Sequence, residues 1–216
     1  MQLNPTILTD DKQSYIEQIT RDAKFAREID IDIIDWEYSP GKTLTARESL
    51  VVEVQIPLNF DLMLDYPARS VEILLKDKRV PKIIVNIRSK EDLVPLFTTI
   101  KVTGRQAAVS FSMDEEYEKV REMFEMVDAI HVFAIEPGAQ GNEFRPEMLE
   151  YADRLKADGF KGIIGLDGGV NSKTIPLILQ HPFDVAVVGS AIAKSTDPEK
   201  TYRELVKMIS TASEND

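Results

Sequence analysis

The stretch GIIGLDGGVNSKTIPLILQHPFDVAVVGSAI, residues 162–192, contains one complete strand–helix–strand unit and the start of a further helix. Short runs rich in branched apolar residues predict strands at Gly162–Leu166 and Val185–Val188, and a glycine-containing loop follows each run. Short apolar strands that alternate with longer amphipathic segments are typical of a parallel sheet covered by helices. We therefore expect the chain to be built from repeats of this unit.

The same pattern recurs towards the N-terminus. Six more strands are predicted, at Thr6–Thr9, Ile31–Ile34, Phe60–Leu64, Ile83–Ile87, Ala107–Phe111 and Ile130–Ile135. Helical patterns follow several of them, at Glu115–Met126, Pro146–Asp158 and, after the last strand, Pro198–Ile209. Eight strands, each followed by a helix, predict a closed (β/α)8 TIM barrel rather than an open doubly wound sheet.

The length of 216 residues fits one such barrel, so residues 1–216 are expected to form a single domain. The third unit is the least defined, over about residues 41–60. VVEVQI at 51–56 alternates like a strand, whereas TARESL before it is more helix-like. The polar tail at 211–216 is expected to be frayed.

Composition excludes several classes of function. The net charge is -11 and there is no dense Lys/Arg run, which argues against a nucleic-acid partner. Cysteine is absent and only His131 and His181 are present, so thiolate chemistry and a three-histidine zinc site are excluded. No signal peptide and no run of about 18 apolar residues is present, so we expect a cytoplasmic protein without a membrane partner. Acid–base chemistry must rest on carboxylates.

Three loops have the composition of a phosphate site. Gly168 and Gly169 follow strand seven, and Gly189 and Ser190 follow strand eight, where TIM barrels commonly bind phosphate. Bare amide groups at such turns and helix starts favour anions. The third loop follows strand six and contributes Gly138, Gly141 and Asn142. The alternative is that these glycines serve only as turn residues.

Carboxylates occur on two of the predicted strands. Alternation in EIDIDIID places Asp30 and Asp32 on one face of strand two, and Asp167 ends strand seven. Carboxylates that face a barrel interior require a metal, a proton or a basic partner. Two carboxyls of different pKa could remove and return a proton next to a carbonyl. Alternatively, Asp30 and Asp35 are solvent-facing loop acids.

The loops, together with the N-terminal segment, resemble the ribulose-phosphate 3-epimerase family. The family's V-x-P-G-F-G-G-Q-x-F, V-D-G-G-V, V-x-G-S-A-I and P-S-I-L-S-x-D motifs match Ile135–Phe144, Leu166–Val170, Val187–Ile192 and Pro5–Asp11. The resemblance implies a phosphate-binding barrel that inverts one carbinol of a ketopentose phosphate through an enediolate. It assigns binding of a sugar phosphate to Thr6, Gly138, Gly141, Asn142, Gly168, Gly169, Gly189 and Ser190. It also implies a homo-oligomer, of undetermined size.

The chain departs from the family at two metal ligands. The family motifs H-x-D-V-M-D-G and V-H-L-M-V match Asp30–Trp36 and Phe60–Leu64, so both histidines are replaced by aspartate, at Asp30 and Asp61. The resemblance places a divalent metal among Asp30, Asp32, Asp61 and Asp167. Oxygen ligands alone favour Mg²⁺ or Mn²⁺ over Zn²⁺. The alternative is no metal, with protons shared among the acids.

These residues favour a divergent sugar-phosphate epimerase, an isomerase with Asp32 and Asp167 as the proton-transfer pair. Two alternatives remain open. One is a non-catalytic or regulatory barrel that binds a phosphosugar, and the other is a different reaction on a phosphorylated ligand, such as an aldol cleavage. A weaker resemblance joins Asp30-x-Asp32-x-x-Asp35 to the D-x-K-x-x-D signature of the decarboxylase and hexulose-phosphate synthase group, whose lysine is absent here.

Overall fold

The computed structural model describes residues 1–35, 42–135 and 142–213. Eight parallel strands close into a barrel in sequence order, and β8 pairs with β1. The strands are β1 Gln2–Ile7, β2 Ile29–Ile34, β3 Leu58–Met63, β4 Lys82–Asn86, β5 Gln106–Phe111, β6 Ala129–Phe133, β7 Ile163–Asp167 and β8 Val185–Val188. The predicted (β/α)8 TIM barrel is confirmed.

Helices follow the strands around the outside of the barrel. They are α1 Lys12–Asp22, α2 Ala46–Ser49, α3 Ala68–Leu74, α4 Leu93–Val102, α5 Tyr117–Glu122, α6 Glu150–Ala157, α7 Ile175–Ile178, α8 Ser190–Ala193 and α9 Pro198–Ser213. Short 3₁₀ turns at Asp114–Glu116 and Pro146–Leu149 lead into α5 and α6. None of the helices in the described ranges combines the length and the apolar character that a membrane crossing requires.

The main apolar core lies between the outer face of the strands and the helices. Alternation along each strand turns one set of side chains outward, such as Ile31 and Ile33 on β2 and Phe60 on β3, and these join the core cluster. The inward set is different in character, because much of it is polar. Two small apolar clusters interrupt it: Ile84, Ala108 and Ala129 in one, and Ile34, Met63 and Phe133 in the other.

The second of these clusters lies at the carboxyl ends of the strands. Ile34, Met63 and Phe133 are the last residues of β2, β3 and β6. Phe133 is also the register partner of Asp167 on β7. Asp167 thus has an apolar neighbour at the carboxyl face of the barrel.

Two details of the sequence prediction are wrong. Strand one was placed at Thr6–Thr9, whereas β1 pairs with β8 from Gln2 to Pro5, where Asn4 and Pro5 are weak strand formers. The tail was expected to fray from residue 211, but α9 continues to residue 213; residues 214–216 lie outside the described ranges.

The ambiguous third unit is resolved by burial. Residues 51–56 form no strand, and TARESL contains the short helix α2, which begins at the capping box of Thr45 and Glu48. Val52 and Val54 are buried in the core while their neighbours are exposed. The alternation in VVEVQI therefore reflects a loop that packs every second residue, without the hydrogen bonds of a sheet.

Candidate active site

Four carboxyl groups converge on the barrel interior. Asp30 and Asp32 lie on β2, Asp61 on β3 and Asp167 at the end of β7, with relative exposures of 2%, 6%, 1% and 6%. Strand register places Asp32 beside Asp61. The structure therefore brings together the four aspartates singled out in the sequence. It also rules out the alternative that Asp30 is a solvent-facing acid.

Side chains from neighbouring strands donate hydrogen bonds to two of these carboxyls, Asp32 and Asp30. The Thr6 hydroxyl donates to Asp32 Oδ1 over 3.0 Å. The amides of Asn4 and Asn59 both donate to Asp30 Oδ1, over 3.0 and 2.8 Å.

Asp61 is held on one oxygen only. The Ser110 hydroxyl donates to Asp61 Oδ1 over 3.2 Å. Asp61 Oδ2 is buried and has no hydrogen-bond partner among the described residues. Burial of a carboxylate oxygen without a hydrogen-bond partner lowers the stability of the fold. The cost is much smaller when the carboxyl is protonated and therefore uncharged.

The carboxyls raise one another's pKa. Burial, followed by the charge of Asp30, raises the pKa of Asp32 to about 7, against a lowering by the Thr6 hydrogen bond. Burial raises the pKa of Asp61 and of Asp167 well above the usual range, and the charges of Asp32 and Asp30 add to both shifts. Like charges in a dry interior cannot all be ionised together. At neutral pH the interior therefore retains protons on some of these acids.

The fit of a divalent metal can be tested on the donor atoms. Mg²⁺ and Mn²⁺ require several oxygens that converge at about 2.0–2.6 Å from one point. Within the described residues, which include all four aspartates, no group of three His, Cys, Asp or Glu side chains is arranged to hold a metal ion. Instead, one oxygen of each of Asp30, Asp32 and Asp61 accepts a hydrogen bond from a side-chain amide or hydroxyl. In this arrangement the donor set does not fit a metal.

A buried lysine lies in the same interior and was not recognised in the sequence. Lys82, the first residue of β4, is 4% exposed, and its Nζ lies 3.3 Å from His131 Nε2 on β6. His131 is fully buried. Its ring covers Gly165, where an added Cβ would lie 2.8 Å from ring atoms. The alternation in KIIVN could have placed Lys82 on the inward face with Ile84 and Asn86.

Backbone conformation and close packing explain why the loop after β7 contains two glycines. Gly168 and Gly169 have φ values of +90° and +72°, and an added Cβ would meet Ile135 at 2.4 Å and Phe144 at 2.3 Å. Only glycine suits this backbone. The turn interpretation therefore suffices to explain why both residues are glycine. The backbone N–H of Gly168 donates to the Asp167 carboxyl and so lowers its pKa in part.

The remaining residues that the sequence assigned to phosphate binding lie in different surroundings. Gly189 precedes α8, which Ser190 begins, as the sequence indicates. The Thr6 hydroxyl is directed at Asp32, so Thr6 is part of the acid cluster. Asn142 is exposed. Gly138 and Gly141 lie outside the described residues.

Comparison with known proteins gives a consistent family. The profile described as "Ribulose-phosphate 3 epimerase family" matches residues 2–193. Ribulose-phosphate 3-epimerase of Mycobacterium bovis is 25% identical over 189 residues, which cover 85% of this chain and 82% of that protein. The enzyme of Bacillus subtilis is 26% identical, covering 82% and 84%. The cytoplasmic isoform of Oryza sativa is 26% identical, covering 95% and 92%.

Solved structures share the fold. A 3-hexulose-6-phosphate synthase superposes with a TM-score of 0.69 at 15% identity, covering 95% of this chain and 98% of its own. A chain of the tryptophan synthase complex from Pyrococcus furiosus gives 0.69 at 16% identity, with the same coverage. Because the profile matches nearly the whole chain and the chain forms the closed barrel, this protein belongs to the ribulose-phosphate 3-epimerase family.

Proposed function

We propose that the protein is a sugar-phosphate epimerase in which Asp32 and Asp167 exchange protons with the carbon next to the substrate carbonyl. The observation that carries this proposal is the placement of two interacting carboxyls of raised pKa, with Asp32 two residues before the end of β2 and Asp167 at the end of β7. The ends of barrel strands are where TIM-barrel enzymes place their chemistry.

The two carboxyls differ in the way that an epimerase requires. With a pKa of about 7, Asp32 is partly ionised at neutral pH and can accept a proton. Asp167, whose pKa is raised well above the usual range, holds a proton that it can donate. Removal of the carbon-bound proton by Asp32 leaves an enediolate. Delivery of a proton by Asp167 to the opposite face gives the inverted carbinol, and the reverse sequence restores both groups.

The phosphate of the substrate is assigned to the loops after β7 and β8. The Gly168–Gly169 loop and the Gly189–Ser190 turn lie at the carboxyl face of the barrel, a common phosphate position in this fold. Binding there would place the carbonyl end of a five-carbon sugar towards the acid cluster. The phosphate supplies affinity, and the carboxyls supply the chemistry.

Incubation with D-ribulose 5-phosphate in deuterated water tests the reaction. We expect epimerised product, and deuterium at the inverted carbon of both product and recovered substrate. Asp32→Asn and Asp167→Asn should each lower kcat by at least about 10²-fold, because each removes one proton-transfer group. Glu125→Gln is the matched control, since it neutralises an exposed acid ahead of β6, on the opposite face of the barrel. Absence of both product and deuterium would refute the substrate assignment.

A non-catalytic phosphosugar-binding barrel is the second candidate. It is favoured by one observation: the four positions corresponding to the family's metal ligands are not arranged around a metal in this chain. Calorimetry with pentose and hexose phosphates distinguishes the two. Binding without turnover of any of them would support the second candidate and contradict the first.

A further inference from the structure

A cavity of about 490 Å³ lies at the amino ends of the strands, away from the loops that follow β7 and β8. It is lined by Gln2 and Leu3, the first residues of β1, by residues between 202 and 210 of α9, and by Phe25 and Arg27 from the segment between α1 and β2. Its volume lies within the range of sites for small molecules.

The charge of this cavity is positive. Arg27, Arg203 and Lys207 line it, and no Asp or Glu is among the lining residues in the part of the chain that the structure describes. The whole protein has the opposite balance, with 37 acidic and 26 basic residues and a net charge of -11. A recess lined by cations concentrates anions, and here it does so on an otherwise acidic molecule. The lining therefore indicates a site for an anionic ligand.

The three cations can reach such a ligand. Arg27 and Lys207 are exposed, and neither forms an ion pair with an acid among the described residues. Arg203 Nη2 lies 2.7 Å from Glu199 Oε1, but the two side chains are 68% and 50% exposed. An exposed pair of this kind contributes little to stability, so a phosphate could replace the carboxylate at small cost.

Two aromatic rings add an apolar surface beside the cations. The ring centroids of Phe25 and Tyr202 lie 5.1 Å apart, and the Tyr202 hydroxyl donates to the Leu3 carbonyl oxygen over 3.1 Å, which fixes this ring against β1. Burial raises the pKa of the Tyr202 phenol, and the charges of Arg27 and Arg203 lower it, so both guanidinium groups lie near the ring. A planar group can pack here while an anionic group meets the arginines.

We propose that this cavity is a second ligand site, which binds a small phosphorylated molecule with a planar apolar part, such as a nucleotide. The phosphates contact Arg27, Arg203 and Lys207, since guanidinium groups bind phosphate oxygens in pairs. The planar part lies against Phe25 and Tyr202. The site is separate from the phosphate loops of the proposed reaction, so the inference holds whether or not the protein is an epimerase.

Calorimetry of the wild-type protein with ADP and UDP, without added metal, is the first test. At about 50 mM NaCl we expect one site per chain with a Kd below about 1 mM. At about 500 mM NaCl the affinity should fall at least about threefold, because salt screens the attraction between phosphate and cations. Adenosine, which has no phosphate, should bind at least about tenfold more weakly than ADP. Absence of saturable binding of both nucleotides would overturn the proposal.

A double variant locates the binding in this cavity. Arg27→Gln combined with Lys207→Gln removes two exposed cations, so we expect the ADP affinity to fall at least about tenfold while the thermal unfolding midpoint changes by less than about 2 °C. Lys78→Gln combined with Lys119→Gln is the matched control, because it removes the same charge from exposed positions outside the cavity. Equal ADP affinities of the two double variants would overturn the proposal.

Phe25→Leu tests the contact with the planar part. The substitution keeps an apolar side chain and removes the ring, so we expect ADP to bind at least about threefold more weakly and inorganic pyrophosphate to bind as it does to the wild type. An unchanged affinity for ADP would contradict the aromatic contact. The variant at Arg27 and Lys207 remains decisive if Phe25→Leu does not fold.

Discussion

Replacement of Asp32 by Asn should make the protein more stable at alkaline pH while removing a group that the proposed reaction needs. Burial in the folded protein raises the pKa of Asp32 from its ordinary value of 3.8 to about 7. Between these values the native state holds a proton that the unfolded chain has released. Stability from this group is therefore present at low pH and is lost as pH rises through about 7.

The size of the effect follows from the shift. One pKa unit corresponds to about 1.4 kcal/mol, so a shift of roughly three units is worth up to about 4 kcal/mol. An asparagine cannot ionise, and its side-chain oxygen can still accept from Thr6. The charge of Asp32 also raises the pKa of Asp61 and of Asp167, so removal of that charge brings both pKa values closer to their ordinary range. At pH 8 we expect Asp32→Asn to be more stable than the wild type by up to about 4 kcal/mol; at pH 4.5 the two should agree within about 1 kcal/mol.

Urea unfolding followed by circular dichroism, from pH 4.5 to 8.5, measures this difference. The neutral His131 contributes the opposite slope, since its lowered pKa makes stability rise with pH below about 6.5. That contribution cancels in the comparison of variant with wild type. Glu125→Gln controls for loss of a negative charge and should follow the wild type. Parallel profiles for Asp32→Asn and the wild type would refute the raised pKa.

Two further predictions concern glycines. Gly165→Ala should destabilise the protein by about 1–3 kcal/mol in urea unfolding, because its Cβ would lie 2.8 Å from the buried His131 ring; a change below about 0.5 kcal/mol would contradict this packing. Gly168→Ala and Gly104→Ala share a positive φ, of +90° and +78°, but only at Gly168 would the Cβ meet Ile135, at 2.4 Å. Thermal unfolding should therefore show a larger loss at Gly168, and equal losses would contradict the steric clash.

Much of the fold could be predicted from sequence because the strands carry a local signal. The outward residues of β2 and β3 are branched or aromatic, and glycine-containing loops follow β7 and β8. These features depend on neighbours in the chain. The start of β1 was misplaced because its pairing with β8 overrides the weak strand preference of Asn4 and Pro5.

The four aspartates of the acid cluster were predicted from the sequence, but their hydrogen-bond partners were not. Alternation indicated Asp30 and Asp32, and Asp167 stands at the end of a predicted strand, whereas Asp61 was found by its match to a family position. Their partners come from other strands: Asn4 is 26 residues from Asp30, and Ser110 is 49 residues from Asp61. No local pattern links such residues, so the hydrogen bonds that engage these carboxyl oxygens were invisible in the sequence.

Lys82 shows why the remainder of the site required the closed barrel. A lysine at the start of a strand is usually exposed, although the alternation in KIIVN is compatible with an inward position. Closure of eight strands turns the inward face of β4 into an enclosed interior, where Lys82 meets His131 from β6, 49 residues away. The inward faces of β2 and β3 bring their acids to the same enclosed space.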